Sequence, residues 1–157
     1  MKLANLLSAE QILLDMEAAH HWPAIVELVD HLVRIGQLPA SHYDAMLDSF
    51  RVREELLSTG IGSGVAIPHA FSDHLEKVVA VFGRSKAGID FTALDNAPVH
   101  LIILFIVPRT NYHLHLKTLA AIAKIFVNRE ILEQLNAAEV PEEVLTILGF
   151  KPSRVGA

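Results

Sequence analysis

The segment Val99-His100-Leu101-Ile102-Ile103-Leu104-Phe105-Ile106-Val107 sets the first constraint on this chain. Apart from His100 it is apolar throughout, with none of the polar alternation of a strand that faces water on one side. It is far too short to cross a bilayer as a helix. The reading that remains is a central strand covered on both faces. Such a cover is made of helices, and helical periodicity lies on both sides of the strand block. Upstream, Ile25, Leu28, Leu32 and Ile35 fall at helical spacing within 24–35, and Gly36 stops that helix. Pro39 opens a second helix to about Leu56, with Tyr43, Met46, Leu47 and Phe50 on its inner face. Downstream, Thr110 or Asn111 caps a third helix to about Val127, and shorter ones follow near 129–136 and 141–148. Strand candidates besides the central one are 11–14, 64–67 and 78–82. The predicted fold class is therefore α/β: a single domain over 1–157, with a mixed sheet of four to five strands sandwiched between helices in three layers.

Composition removes several function classes. At 157 residues, 52% hydrophobic and 20% charged, the chain is long enough to bury a core and too apolar for disorder. A net charge of −5 with scattered Lys and Arg argues against a nucleic-acid partner. The absence of cysteine removes disulfides, a thiol nucleophile and thiolate metal sites. No long apolar segment or small-residue cleavage site stands near the start, so a soluble cytoplasmic protein without membrane insertion is expected.

The chemistry concentrates in Gly60-Ile61-Gly62-Ser63-Gly64-Val65-Ala66-Ile67-Pro68-His69. Glycines at alternate positions make a loop whose backbone can approach a ligand. Val65-Ala66-Ile67 reads as a short buried strand, and Pro68 ends its pairing. His69 is thus delivered at a strand end, on a fixed backbone that holds a reacting group more accurately than a loop does. His115 is the second candidate. On the third helix it shares a face with Leu119, Ile122 and Phe126, while Lys117 and Lys124 point outward. An imidazole on the inward face of a first helical turn needs a partner or a cleft, and the helix dipole there favours an anion. His113 is expected before the regular helix. A metal reading of His113, His115 and His69 lacks a carboxylate or cysteine with supporting spacing, and no cofactor is implied. Arg53, just ahead of the glycine loop, is the third candidate, able to meet a phosphate through paired hydrogen bonds. Together these residues point to phosphoryl chemistry on histidine, where positioning and charge stabilisation matter more than covalent machinery. Ala66, Ile67, Ala70 and Phe71 are the candidate apolar surround of His69.

The run from Arg53-Glu54-Glu55 through Gly60-Ile61-Gly62-Ser63-Gly64 to Pro68-His69 resembles the signature of the fructose/mannitol-type (type 2) enzyme IIA domains of the bacterial phosphoenolpyruvate:sugar phosphotransferase system. Ile89-Asp90-Phe91-Thr92-Ala93-Leu94-Asp95-Asn96-Ala97-Pro98-Val99 and His115-Leu116-Lys117-Thr118-Leu119 match later blocks in order, and the resemblance covers a core of about 5–150. It implies that His69 is phosphorylated, that His115 is the second active-centre histidine, and that Arg53 assists with charge. It implies a phosphoryl donor, the phosphocarrier HPr or its nitrogen-branch counterpart. Many relatives carry glycine after the active histidine where this chain has Ala70. Two branches follow: sugar-specific members pass phosphate to an enzyme IIB protein, whereas nitrogen-regulatory members signal through their phosphorylation state to a target protein. One compact domain with no IIB cysteine and no membrane segment favours the regulatory branch. A third possibility is a phosphate-silent binding module, against which intact His69, Arg53 and His115 argue.

Overall fold

A computed structural model describes residues 3–56, 60–91, 97–110 and 112–149. After two short 3-10 turns comes β1 (Ile12–Leu13), then α1 (His21–Arg34) and α2 (Tyr43–Leu56). Three short strands and one long one follow: β2 (Gly60–Gly62), β3 (Val65–Ala66), β4 (His69–Ser72) and the long β5 (Val79–Ile89). Next is the apolar strand β6 (Val99–Pro108), and the chain closes with α3 (Tyr112–Ala123), α4 (Arg129–Ala137) and α5 (Pro141–Gly149).

The sheet runs β1-β5-β6-β3-β2, with β4 also on β6. β5 and β6 are antiparallel, whereas β3 and β4 both run parallel to β6, at Leu101–Ile102 and at Phe105–Pro108 respectively. They are two pieces of one edge, separated by Ile67 and Pro68. Counted across, the sheet is therefore five strands wide, and both of its faces are covered. The pleat of β6 shows why. Ile102, Leu104 and Ile106 join Ile25, Leu28, Leu32, Met46 and Phe50 in one core under α1 and α2. Leu101, Ile103, Phe105 and Val107 join Leu119, Ile122, Phe126, Leu135, Val144 and Leu148 in a second core under α3–α5. Each of these fully buried β6 side chains contributes about 1.5–3 kcal/mol relative to exposure.

Several boundaries differ from the sequence reading. Pro39 caps a 3-10 turn, Ala40–His42, that leads into α2. The third helix is α-helical only to Ala123 and finishes as a 3-10 turn, Lys124–Val127. Its proposed cap Asn111 lies outside the described residues. His113 belongs to α3, not ahead of it. β5 continues past residue 82 to Ile89, because β6 pairs with it through Arg84 and again at Ile89 across an irregularity. No helix among the described residues is long and apolar enough to cross a membrane.

Candidate functional site

The glycine stretch is a hairpin, not an open loop. β2 pairs antiparallel with β3, and the turn between them is Ser63-Gly64, with φ of 58° and 78°. Two successive positive φ values are the handedness that two-residue hairpins need, and glycine supplies the second without strain. Gly64 also passes its carbonyl oxygen to the backbone N–H groups of His100 and Leu101, anchoring the turn to β6.

Beyond β3 the chain is interrupted at Ile67-Pro68 and then pairs again. His69 therefore begins a strand rather than ending one: it is the first residue of β4, opposite Phe105. Pro68 has no N–H to give, but its carbonyl oxygen still accepts from the Phe105 N–H at 2.9 Å. Alternation along β4 leaves His69 and Phe71 half-buried and buries Ala70 and Ser72. Of the expected apolar surround, Ala66 and Ala70 are buried core residues, Ala70 lining the cleft floor, and Ile67 and Phe71 are half-buried.

Among the described residues, the hydrogen bond found for the His69 ring runs between Nδ1 and the Ile67 carbonyl oxygen at 3.1 Å. A carbonyl can only accept, so Nδ1 carries the proton and Nε2 of the neutral ring keeps the lone pair. The His69 pKa is held below the ordinary imidazole value, chiefly because burial penalises the cation. The Ile67 carbonyl opposes that shift, the Arg53 charge adds to it, and the Glu54 charge opposes it. The neutral, nucleophilic ring is thus favoured near neutrality. A histidine with a depressed folded-state pKa adds stability above its unfolded value of about 6.5, and loses it as pH falls through the folded value. A histidine-resolved NMR titration is therefore expected to place His69 below that value, and Arg53→Ala to move it upward. Its contribution to stability should fade as pH falls from about 6.5 towards the lower folded-state value, and change no further below it.

Arg53 stands in the last turn of α2 and lines the same cleft as His69, a space of about 520 Å³. Asp48, Ser49, Val52, Asp73, His74 and Arg109 also line it. The neighbouring Glu54 is tied at 2.5 Å to His21 Nε2, and the His21 ring stacks on Phe91 with centroids 4.0 Å apart. That contact joins the end of α2 to the start of α1. Half-buried His115 lies on the first turn of α3 above buried Leu119, Ile122 and Phe126, as its helical face implies. It lines a second hollow, with Leu6, Ser8, Gln11, Lys77 and Val78. The structure thus brings His69 and Arg53 to one cleft, and His115 lines a hollow beside the start of α3. Among the described residues, no three histidine or carboxylate side chains gather to hold a metal.

Three features of the cleft escaped the sequence reading: the Ile67 carbonyl, the Glu54 charge and Arg109. Only Arg109 left a signal. It follows directly on the carboxyl end of the central strand, where open α/β sheets place their ligand-binding groups.

Residues 5–150 match the family model for the phosphoenolpyruvate-dependent sugar phosphotransferase system, EIIA 2. The chain is 33% identical over 148 residues to the fructose-specific EIIABC component of Bacillus subtilis, covering 94% of this chain but only 23% of that protein. A fructose-specific EIIA component of Haloferax volcanii is 34% identical over 146 residues, covering 93% of this chain and 94% of that one. A nitrogen regulatory protein of Bradyrhizobium diazoefficiens is 31% identical over 153 residues, 98% of each. Among solved structures, the nitrogen regulatory protein IIA-Ntr of Neisseria meningitidis has a TM-score of 0.84 at 32% identity, over 93% of this chain and 98% of that one. A chain in the complex of enzyme IIAMTL with phosphorylated enzyme IIBMTL of Escherichia coli has a TM-score of 0.74 at 26% identity, over 91% of this chain and 96% of that one.

Proposed function

The chain belongs to the EIIA 2 family of the phosphoenolpyruvate-dependent sugar phosphotransferase system, and from that premise we propose that it is a phosphohistidine carrier, charged on His69 by phospho-HPr or its nitrogen-branch counterpart and acting in nitrogen regulation. The observation that carries this reading is the bond from His69 Nδ1 to Ile67, which leaves Nε2 as the acceptor nitrogen in a cleft that also holds Arg53. In the step itself, the phosphorus–nitrogen bond of the donor phosphohistidine breaks as the bond to His69 Nε2 forms. The donor imidazole recovers its lone pair, and the His69 proton stays on Nδ1, donated to the Ile67 carbonyl oxygen. Arg53 supports the charge on the phosphoryl oxygens. The proposed role of His115 is that of second active-centre histidine. His115→Ala is a direct test: a loss on the order of 10²-fold in transfer rate supports the role, and an unchanged rate removes it.

The regulatory branch is supported by the higher structural similarity to IIA-Ntr than to the mannitol protein. The second reading, a sugar-specific IIA subunit passing phosphate to a IIB protein, is supported by the Haloferax fructose relative, matched over nearly its whole length. Incubation with phosphoenolpyruvate, enzyme I and HPr, read by intact mass, should add one phosphoryl group. Fast onward transfer to the cysteine of a IIB protein would favour the sugar reading. Capture of a non-transport protein by only one phosphorylation state would favour regulation, because equal affinity for both states shifts nothing.

A further inference from the structure

We propose that Arg109 is a phosphorylation-responsive arm of this cleft: it rests on Asp73 while His69 is unmodified, and moves onto the phosphoryl group when His69 carries one. The inference rests on the phosphocarrier reading and adds a residue that the family resemblance does not name. Its basis is the order of groups along one side of β4. Alternation puts His69 and Phe71 on the same side, and Asp73 follows at the exposed end. The Arg109 guanidinium lies across this row, with Cζ 5.6 Å from the Phe71 ring centroid. Its Nε donates to Asp73 Oδ1 at 2.7 Å, and no other hydrogen-bond partner of the guanidinium is found among the described residues. Arg109 is held in this place by β4 itself, since its backbone N–H donates to the Ser72 carbonyl at 2.9 Å.

The resting contact is weak. The Arg109 and Asp73 side chains are 58% and 65% exposed, and so open an ion pair is screened by water and cheaply broken. At the other end of the row, phosphorylation places up to two negative charges and three acceptor oxygens on His69. That site is half-buried, and a charge-assisted fork from arginine is stronger there than on an exposed carboxylate. His69 and Phe71 are two strand residues apart, about 7 Å, a distance spanned by a rotation of the arginine side chain about its fixed backbone. Arg53 approaches the same group from α2, so the phosphoryl oxygens would meet cations from both walls. The exchange also changes what a partner sees, because the Asp73 carboxylate and the Phe71 face are uncovered together. Phe71 touches Tyr112 edge-on, with centroids 5.7 Å apart, so this change adjoins the start of α3.

The test uses full-length protein labelled with nitrogen-15, observed before and after charging by phosphoenolpyruvate, enzyme I and HPr, with intact mass reporting the extent of charging. The Arg109 Nε–H resonance should shift on charging. Asp73→Asn should shift it in the uncharged form and leave the charged form unaltered. Arg109→Ala should slow charging and shorten the life of the phosphohistidine by about tenfold, with Arg109→Lys restoring only part of this. A fully charged wild type with an unmoved Arg109 signal would overturn the proposal while leaving the carrier role standing. So would an Arg109→Ala protein that charges and discharges at the wild-type rate. Absence of any mass gain in the wild type would overturn the carrier reading, and this inference with it.

Discussion

Replacing His69 with alanine is expected to abolish phosphoryl uptake, with the protein otherwise folded. The expectation comes from how the imidazole is held. β4 fixes its backbone against Phe105, and the Ile67 carbonyl fixes its tautomer. Burial keeps it neutral. Among the described residues lining the cleft, the other imidazole, His74, is exposed. Intact mass after charging should show one acid-labile, base-stable phosphoryl group on the wild type and none on His69→Ala. A mass gain on the variant would show that another residue is the acceptor. Arg53→Ala should retain uptake but slow it by about 10²-fold, the scale of losing one preorganised charge-stabilising donor. The half-buried position of His69 makes a large loss of stability unexpected, and a thermal unfolding scan separates the two effects.

Arg84→Met is expected to produce the largest loss of stability, although Arg84 takes no part in the proposed chemistry. Arg84 is 2% exposed, in the middle of β5. Every hydrogen-bond partner found for its guanidinium among the described residues is a backbone carbonyl. Nε donates to Leu14 at 3.3 Å, and Nη1 donates to Leu135 at 3.2 Å, to Asn136 at 3.3 Å and to Ala138. The last three carbonyls lie at the end of α4, where unsatisfied oxygens and the negative pole of the helix dipole coincide. One cation thereby ties α4 to the sheet and, through Leu14, to the segment after β1. Methionine keeps most of the volume and none of the donors, leaving several buried acceptors without a partner at a cost of about 3–5 kcal/mol. For a domain of this size that corresponds to roughly 6–20 °C in melting temperature. A shift of only one or two degrees would mean that water replaces the guanidinium and that the tie is dispensable.

Arg84 also shows where sequence reading stops. Val78-Val79-Ala80-Val81-Phe82 reads as a strand because it is apolar. The continuation Gly83-Arg84-Ser85-Lys86-Ala87-Gly88 has no strand pattern, yet β5 runs through it, held by its pairing with β6. Only the end of a helix more than fifty residues downstream makes a buried arginine tolerable, and no local window contains that information. β4 was obscured for a similar reason. Its four residues follow a proline and show no periodicity longer than the strand itself, and their partner lies on β6. By contrast, α1, α4 and α5 were legible to within a few residues from their local helical pattern and start signals, and β6 from a run that is apolar almost throughout.

The same division holds at the cleft. From sequence alone came the layered α/β architecture, the central strand, and the singling out of His69, Arg53 and His115, because residue type, spacing and hydrophobic period are local properties of the chain. Only the tertiary structure determined that Nε2 of His69 holds the lone pair, that Arg109 lies along the same cleft, and that His115 lines a hollow with Gln11 and Lys77. These depend on a carbonyl two residues back, on a strand end some forty residues away, and on where a helix settles on the sheet. Hydrogen bonds and charge interactions act over a few ångströms in space, and the chain does not record in its order which groups will come that close.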